Sequence, residues 1–361
     1  MSYHGLASRI ATTATAIGLL IGSATAIAQS VPTDLTTLPP VAKTFAPKTT
    51  AWGDPDLRGT WPLDNINVSR IPFQRLKEYG NRFWLTDEEF AKRLAAAKAS
   101  DAAFNPDNAR GSTGLAKWIE TTPFAHRTSM LVSPTDGQLP PLIPKAEALS
   151  KDGRSSWIRG KPYDWIDDFD VWDRCITRGF PASMMPFRYN NGLRIFQAPG
   201  YVVIHLEMLG DRIIPIGDNK HEPRILESWM GDSRGHWEGK TLVIETTNIR
   251  SGDNATRDLA HRVASPLNVA TQGVPPGNSI PTSEQAKAIE RLTMTDANTI
   301  TYEMTYTDPE VFTAPWTARY DWTRDESYQM FEYACHEGNV QIRNYIVASR
   351  AERAKKVAGG K

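Results

Sequence analysis

The chain has 361 residues, with 41 Lys and Arg against 41 Asp and Glu, and two cysteines. This length suffices for one large or two small domains, and a formal net charge of zero disfavours a nucleic-acid-binding protein, which needs a basic face. Two cysteines exclude a zinc site with four cysteine ligands and a disulfide-dense scaffold. The composition therefore favours a globular protein whose partners are small molecules.

Residues 1–28 are predicted to be a cleaved signal peptide. Arg9 precedes an uncharged run from Ile10 to Ile27, and Ala26-Ile27-Ala28 supplies the small residues that a signal peptidase requires. We expect cleavage after Ala28 and a periplasmic or secreted protein with a net charge of −1. A membrane anchor is the alternative, but threonines dilute the apolar run and no basic flank follows it. No later segment is apolar and long enough to predict a membrane span.

Export gives the two cysteines a different meaning, because an oxidising compartment allows Cys175 and Cys335 to form a disulfide. The disulfide would close a loop of about 160 residues, and the chain-entropy estimate for such a loop is ~4–5 kcal/mol of stabilisation. A reactive thiol is the alternative, although neither cysteine has a recognised nucleophile motif around it.

Two parts of the chain follow the predicted signal peptide. Residues 29–56 are rich in Pro, Thr and Lys, which predicts an extended N-terminal arm, and a single β-rich domain is expected over residues 57–355. Gly59-x-Trp61 at the start of this domain resembles the entry of a lipocalin-type barrel, where a Trp closes one end.

A helix is predicted near residues 86–99, because Thr86 and Glu89 form a capping box ahead of an Ala-rich stretch. Residues 101–165 show little periodicity and indicate irregular structure with short helices. The acidic and aromatic stretch 163–173 is interpreted as a solvated loop with anchored tryptophans, and an acidic ligand groove is the alternative.

From Gly192 onward the sequence is rich in predicted strands. Residues 201–208 alternate an apolar face with a polar one, and a tight turn at 238–240 joins two strands. A turn is also predicted around residues 231–235, and a last strand is predicted from Tyr328 to Cys335. Because no helical crossovers separate the strands, we expect an antiparallel meander that closes into a calycin or lipocalin-like barrel, or folds into a sandwich, with peripheral helices.

His205 and Glu207 are the first candidates for chemistry, because residues i and i+2 of a strand share one face. If that face lines a barrel, the pair can act as a base and its orienting group, whereas on the outside they are surface polar residues. His336 is the third candidate for proton transfer. The residues expected to orient a substrate or stabilise charge are Arg212, Glu245 and Asn248.

No cofactor is predicted. The sequence has no G-x-S-x-G motif, no P-loop and no G-x-G-x-x-G motif after a strand, which disfavours Ser-triad hydrolysis, nucleotide use and Rossmann-type redox chemistry. A divalent metal is geometrically possible, although no ligand spacing signals it. Its ligands would be His205, Glu207, His221 and His336.

Several long strings resemble a large family of exported, uncharacterised proteins of soil and aquatic bacteria. They are Gly231–Asn248 (GDSRGHWEGKTLVIETTN), Tyr333–Asn339 (YACHEGN), Arg127–Val132, Asp136–Leu142 and Cys175–Pro181. The resemblance covers roughly residues 50–350 and implies export. It carries no established activity and no assigned catalytic residues.

Two functions from different classes follow from these patterns. The first is a periplasmic enzyme without an organic cofactor, a lyase, isomerase or hydrolase that acts on a small apolar, aromatic or sugar-derived molecule by acid–base chemistry. The second is a non-catalytic small-ligand-binding or envelope protein with a β-barrel pocket. Convergence of His205, Glu207 and His336 on a pocket would favour the enzyme, and scatter would favour the binder.

Overall fold

A computed structural model of the chain describes residues 31–63, 71–102, 125–156, 160–187, 190–208, 210–218, 220–268, 277–337 and 339–359. The predicted signal peptide lies outside these residues. None of the helices in the described ranges is long and apolar enough to cross a membrane.

The regular structure of the described residues consists of short helices and many strands. The strands are β1 (Gly59–Pro62), β2 (Leu131–Ser133), β3 (Gly192–Ala198), β4 (Tyr201–Leu206), β5 (Gly210–Pro215), β6 (Asp232–Glu238), β7 (Thr241–Thr247), β8 (Lys287–Asp296), β9 (Thr299–Thr307) and β10 (Trp316–Thr323). The α-helices are α1 (Asp87–Ala102), α2 (Pro144–Asp152) and α3 (Gln341–Gly359).

The strands form two antiparallel sheets. One has the order β1-β3-β4-β5 and the other the order β2-β10-β9-β8-β7-β6. Consecutive strands are mostly neighbours, as expected from the short turns between them, and Gly239 at the β6–β7 turn has the positive φ of 61° that a tight turn requires. The mainly β, antiparallel prediction is confirmed. The described residues form two separate sheets and no closed barrel, so the sandwich alternative fits.

The core lies between the inner faces of the two sheets. On β4 the alternation predicted from the sequence is confirmed, since Val202, Ile204 and Leu206 are buried while Tyr201 and His205 face outward. The opposing sheet contributes large aromatic side chains, among them the fully buried Trp316 and Trp322 of β10. Burial of this apolar surface is the main source of stability for the fold.

An ion pair is buried inside this core. Arg212 of β5 and Glu290 of β8 belong to different sheets, and their side chains are 1% and 0% exposed. The guanidinium donates to both carboxylate oxygens of Glu290, with an Nη1–Oε1 distance of 2.8 Å, and Tyr302 OH donates to Oε1 at 2.7 Å. Burial and the Glu290 charge raise the pKa of Tyr302 well above its ordinary value, so its hydroxyl stays a donor.

Three further contacts surround the buried guanidinium. Arg212 Nη2 donates to Ser233 Oγ at 3.1 Å and to Thr246 Oγ1 at 3.2 Å, and the guanidinium carbon lies 4.6 Å from the ring centre of Phe180. A charge in an apolar interior is tolerated only when hydrogen bonds and a counter-charge replace its water. This cluster supplies both.

The helix predicted near residues 86–99 is present. The capping box is present, with Glu89 N donating to Thr86 Oγ1 at 3.2 Å and Thr86 N donating to Glu89 Oε2 at 2.9 Å. The helix that follows extends to Ala102.

Two local predictions are wrong. Residues 232–235 belong to β6 and pair with β7, so the turn precedes them. Residues 328–335 form no strand; Phe331 N donates instead to the Glu207 carboxylate at 3.0 Å, so its backbone is satisfied by a side chain rather than by a neighbouring strand.

Glu290→Gln removes the counter-charge of Arg212 and leaves an uncompensated charge in the core. We expect the free energy of unfolding to fall by about 3–5 kcal/mol, measured by chemical denaturation. The double variant Arg212→Met/Glu290→Gln, which removes both charges, should recover part of this loss.

The matched control is Glu238→Gln, which removes the partner of Arg291 in a pair between β6 and β8 whose side chains are 45% and 37% exposed. A solvent-accessible pair contributes about 1 kcal/mol or less. If the free energy of unfolding fell equally in the Glu290 and Glu238 variants, the high cost of leaving a buried charge without its partner would be contradicted.

Candidate functional site

His205 lies on the outer face of the four-stranded sheet. Its Nδ1 atom contacts Oδ1 of Asp211 on the neighbouring strand β5, and the side chains of His205 and Asp211 are 45% and 56% exposed. His205 therefore corresponds to the surface alternative considered for this strand.

Glu207 follows β4 directly and is 6% exposed. Its carboxylate accepts hydrogen bonds from Asn190 Nδ2 at 3.1 Å, Gly192 N at 2.9 Å, Tyr328 OH at 2.7 Å and Phe331 N at 3.0 Å. Four donors satisfy this buried carboxylate. Because two of them follow β10 and the others lie at or just before the first residue of β3, the hydrogen bonds attach the segment after β10 to the start of β3. No contact between Glu207 and His205 is found among the described residues.

The other predicted site residues lie in three places. Arg212 is inside the core, as described above. His336 is exposed and follows Cys335. Glu245 of β7 is on the outer face of the six-stranded sheet, where its carboxylate contacts Lys287 at 2.5 Å.

Glu245 and Asn248 do come close to a third predicted residue, His221. The His221 ring lies between two carboxylates, with Nδ1 2.8 Å from Asp232 Oδ2 and Nε2 3.2 Å from Glu245 Oε1. Asn248, which has a φ of 52°, donates from Nδ2 to the carbonyl of Glu222 at 2.8 Å. These contacts attach residues 221–223 to the sheet.

The predicted metal ligands His205, Glu207, His221 and His336 make separate sets of contacts. Across the described ranges, no group of three or more His, Cys, Asp or Glu side chains is placed to hold a metal ion.

The predicted disulfide between Cys175 and Cys335 is present, with a Cα–Cα distance of 5.6 Å. It joins the end of the stretch 163–173 to the segment that follows β10. Trp172 and Tyr333, on the two sides of this bond, stack with ring centres 5.6 Å apart and an interplanar angle of 14°.

We expect free-thiol titration of the denatured, unreduced protein to find no reactive cysteine, because both sulfurs are in the bond. After reduction the same titration should find both thiols and the folded protein should be less stable by about 2–5 kcal/mol. Two free thiols before reduction would contradict the bond.

A cleft of about 760 Å³ opens beside the disulfide. We call it the aromatic cleft, because five aromatic side chains line it together with Asp173, Ser156 and three amide side chains. The aromatic residues are Tyr163, Phe169, Trp172, Tyr333 and Tyr345; the amides are Asn339, Gln341 and Asn344.

Two aromatic groups form the walls of the aromatic cleft. Trp172 and Tyr333 stack next to the disulfide, while Tyr163 stacks on Phe169 at 4.9 Å with an interplanar angle of 19°. Tyr345 of α3 leans against the second pair, with its ring centre 5.5 Å from that of Tyr163. The rings come from segments far apart in sequence, so the cleft exists only in the folded chain.

Helix α3 is fixed to the acidic stretch on the far side of the cleft. Tyr163 N donates to Ser349 Oγ at 2.9 Å, Arg350 donates to the carbonyl of Asp164, and Arg353 pairs with the Asp164 carboxylate. These contacts hold Tyr345 against the 163–169 segment.

The stretch 163–173 is irregular as expected, and the Asp164 side chain is 52% exposed, but other acidic side chains of the stretch are not solvated. Asp167 is 3% exposed and pairs with Arg257 at 3.1 Å and Arg154 at 3.4 Å, and Asp170 is 1% exposed. Nearby guanidinium groups and hydroxyls replace the water that these carboxylates lose on burial. Of the acidic residues in this stretch, Asp173 alone is among the described residues that line the aromatic cleft.

Asp170 does not line the cleft itself but contacts Ser156, which does. Its Oδ2 atom accepts from Ser155 Oγ at 2.8 Å and from Asn278 Nδ2 at 3.1 Å. Burial, followed by the negative charge of Asp173, raises the pKa of Asp170 to about 7. Burial also raises the pKa of Asp173. Ser156 Oγ donates to Asp173 Oδ2 and lies 3.5 Å from Asp170 Oδ2, so one hydroxyl contacts both carboxylates.

Asp170, Asp173 and Ser156 were not singled out from the sequence. The available signal was the acidic and aromatic composition of 163–173 close to a cysteine. Their proximity to Tyr333 and α3 depends on contacts across more than 150 residues, which a local pattern does not contain.

Comparison with known proteins found no matching family model, no similar curated protein and no similar solved structure. The site is therefore interpreted from its own geometry.

Asp170→Asn should flatten the pH dependence of stability. The folded-state pKa of Asp170, about 7, lies above its ordinary value of 3.8, so the folded state holds more protons than the unfolded state between these values. Wild-type stability therefore falls as pH rises from about 4 to about 7, by at most about 4 kcal/mol from this group.

Denaturation curves of the two proteins at a series of pH values measure the effect, and their difference removes the contributions of groups common to both. As pH rises, we expect the free energy of unfolding of the asparagine variant to increase relative to that of the wild type. A difference that does not change with pH would contradict the raised pKa of Asp170.

Proposed function

We propose that the protein binds a small aromatic or sugar-derived molecule in the aromatic cleft. The cleft carries the proposal: its volume of about 760 Å³ lies in the range of small-molecule sites, about 300–1,000 Å³. Flat rings can stack on an aromatic ligand or a sugar face, and the amides of Asn339, Gln341 and Asn344 can fix its polar groups.

Export to the periplasm or beyond is part of this proposal. The Cys175–Cys335 bond is compatible with an oxidising compartment, and the sequence of residues 1–28 has the features of a signal peptide. The resemblance to exported bacterial proteins supports the same location.

A lipocalin-like relationship is also proposed for the fold. Trp61 is fully buried on β1, and the guanidinium of Arg324, just after β10, lies 4.4 Å from its ring centre. The edge strands β5 and β6 of the two sheets lie beside each other, and the edge strand β1 contacts β10, which is the neighbour of the edge strand β2. Contact between the two sheets at both ends supports a barrel-like arrangement of the strands.

Acid–base catalysis in the same cleft is a second candidate, favoured by Asp170 and Asp173. A carboxyl group with a pKa near 7 can both accept and donate a proton at neutral pH, and Ser156 contacts both carboxylates. The assignment of proton transfer to His205, Glu207 and His336 stays a prediction.

The binding proposal is tested with a library of phenols, aromatic amines and aryl glycosides, screened by native mass spectrometry against the oxidised mature chain. Tyr345→Ala should weaken every hit by about tenfold, because it removes a ring from the cleft wall worth about 1 kcal/mol or more. Tyr345 is 47% exposed, so its loss should leave the fold intact.

The matched control is Tyr201→Ala, since Tyr201 is 49% exposed on the outer face of β4, which is not part of the cleft. Hits that bind both variants as tightly as the wild type would show that the cleft is not the binding site.

A further inference from the structure

We propose that the aromatic cleft selects a positively charged organic ligand, a quaternary or substituted ammonium compound, with Asp173 as its counter-charge. This inference rests on the proposed function of the cleft and specifies the charge of what it binds.

The first observation is the charge of the lining. Among the described residues that line the cleft, Asp173 alone has a charged side chain, and none is Lys, Arg or His. A neutral aromatic or sugar ligand does not require a carboxylate in the wall, whereas a cation gains from one in a site of reduced water content.

The second observation is the aromatic wall itself. The face of an aromatic ring carries negative electrostatic potential, and it attracts an ammonium group within about 6 Å of its centre. Trp172 and Tyr333 lie beside Asp173, and Tyr163 and Tyr345 form the other wall. Rings and one carboxylate in a single cleft are the two elements that recognise organic cations.

The third observation is that these groups are held in place before a ligand arrives. The disulfide holds Tyr333 against Trp172, and Asn339 Nδ2 donates to the Asp173 carbonyl at 3.3 Å and contacts Cys175 Sγ at 3.2 Å. Ser156 Oγ donates to the Asp173 carboxylate. Preorganised groups lose little entropy on binding, which favours affinity for a small ion.

One feature of the cleft favours the opposite charge. The first turn of α3 also lines it, and the backbone amides at a helix N-terminus present partial positive charge. Burial raises the pKa of Asp173, and once this carboxyl group is ionised its full charge exceeds the partial charge of about half a unit, so we expect the cation to be preferred.

The test uses three probes of the same shape and different charge: choline, its neutral isostere 3,3-dimethylbutan-1-ol, and the anion 3,3-dimethylbutanoate. Binding to the oxidised mature chain is measured by calorimetry and by tryptophan fluorescence. We expect choline to bind at least about tenfold more tightly than the alcohol, and the anion to bind most weakly.

Asp173→Asn keeps the shape of the side chain and removes its charge. The variant should bind choline about tenfold more weakly and the alcohol as the wild type does. Asp218→Asn, which removes the same charge from an exposed position after β5, is the matched control and should bind choline normally.

Several results would overturn the inference. They are equal binding of choline and the alcohol, preference for the anion, no loss of choline affinity in the Asp173 variant, or no binding of any probe at millimolar concentration. The library screen with Tyr345→Ala separates these results from failure of the proposed function, because neutral hits that depend on Tyr345 would leave the cleft as a binding site without charge selectivity.

Discussion

The bond between Cys175 and Cys335 is the constraint on which the candidate site depends. The residues before Cys175 belong to an irregular region that precedes strands β3–β10, and the residues around Cys335 follow β10. Trp172 and Tyr333 each lie in a segment without regular secondary structure, and both pack against Phe187 and Met208. A covalent link replaces the many weak contacts that would otherwise have to hold this edge of the cleft.

The buried pair of Arg212 and Glu290 has a comparable role between the two sheets. Each residue occupies an inward position on its strand, where the alternating pattern otherwise places apolar side chains. Such a pair adds little net stability compared with apolar residues, but it is strongly destabilising when broken. Any other packing of the two sheets that separated Arg212 from Glu290 would leave both charges buried without a partner and would therefore be disfavoured.

Much of the fold could be predicted from local patterns. The capping box at Thr86, the hairpin at Gly239 and the inward face of β4 depend on residues a few positions apart, and each was found where expected. The strand predicted from Tyr328 is absent, and one backbone amide of this segment, Phe331 N, bonds instead to the side chain of Glu207 from a distant part of the chain. The apolar and aromatic composition of this segment favours a strand, but a strand forms only beside a second strand with which it can pair, and local sequence does not reveal whether one is available.

The sequence by itself determined the strand-rich antiparallel class and the only possible intramolecular disulfide, because composition, alternation and cysteine number are local or countable properties. Only the tertiary structure decided that His205 faces outward, that Glu207 anchors a loop, and that Arg212 pairs with Glu290. It also decided that Asp173 and five aromatic rings share one cleft. These outcomes depend on which face of a strand meets the core and on contacts between segments more than 100 residues apart, and both are settled by packing of the whole chain.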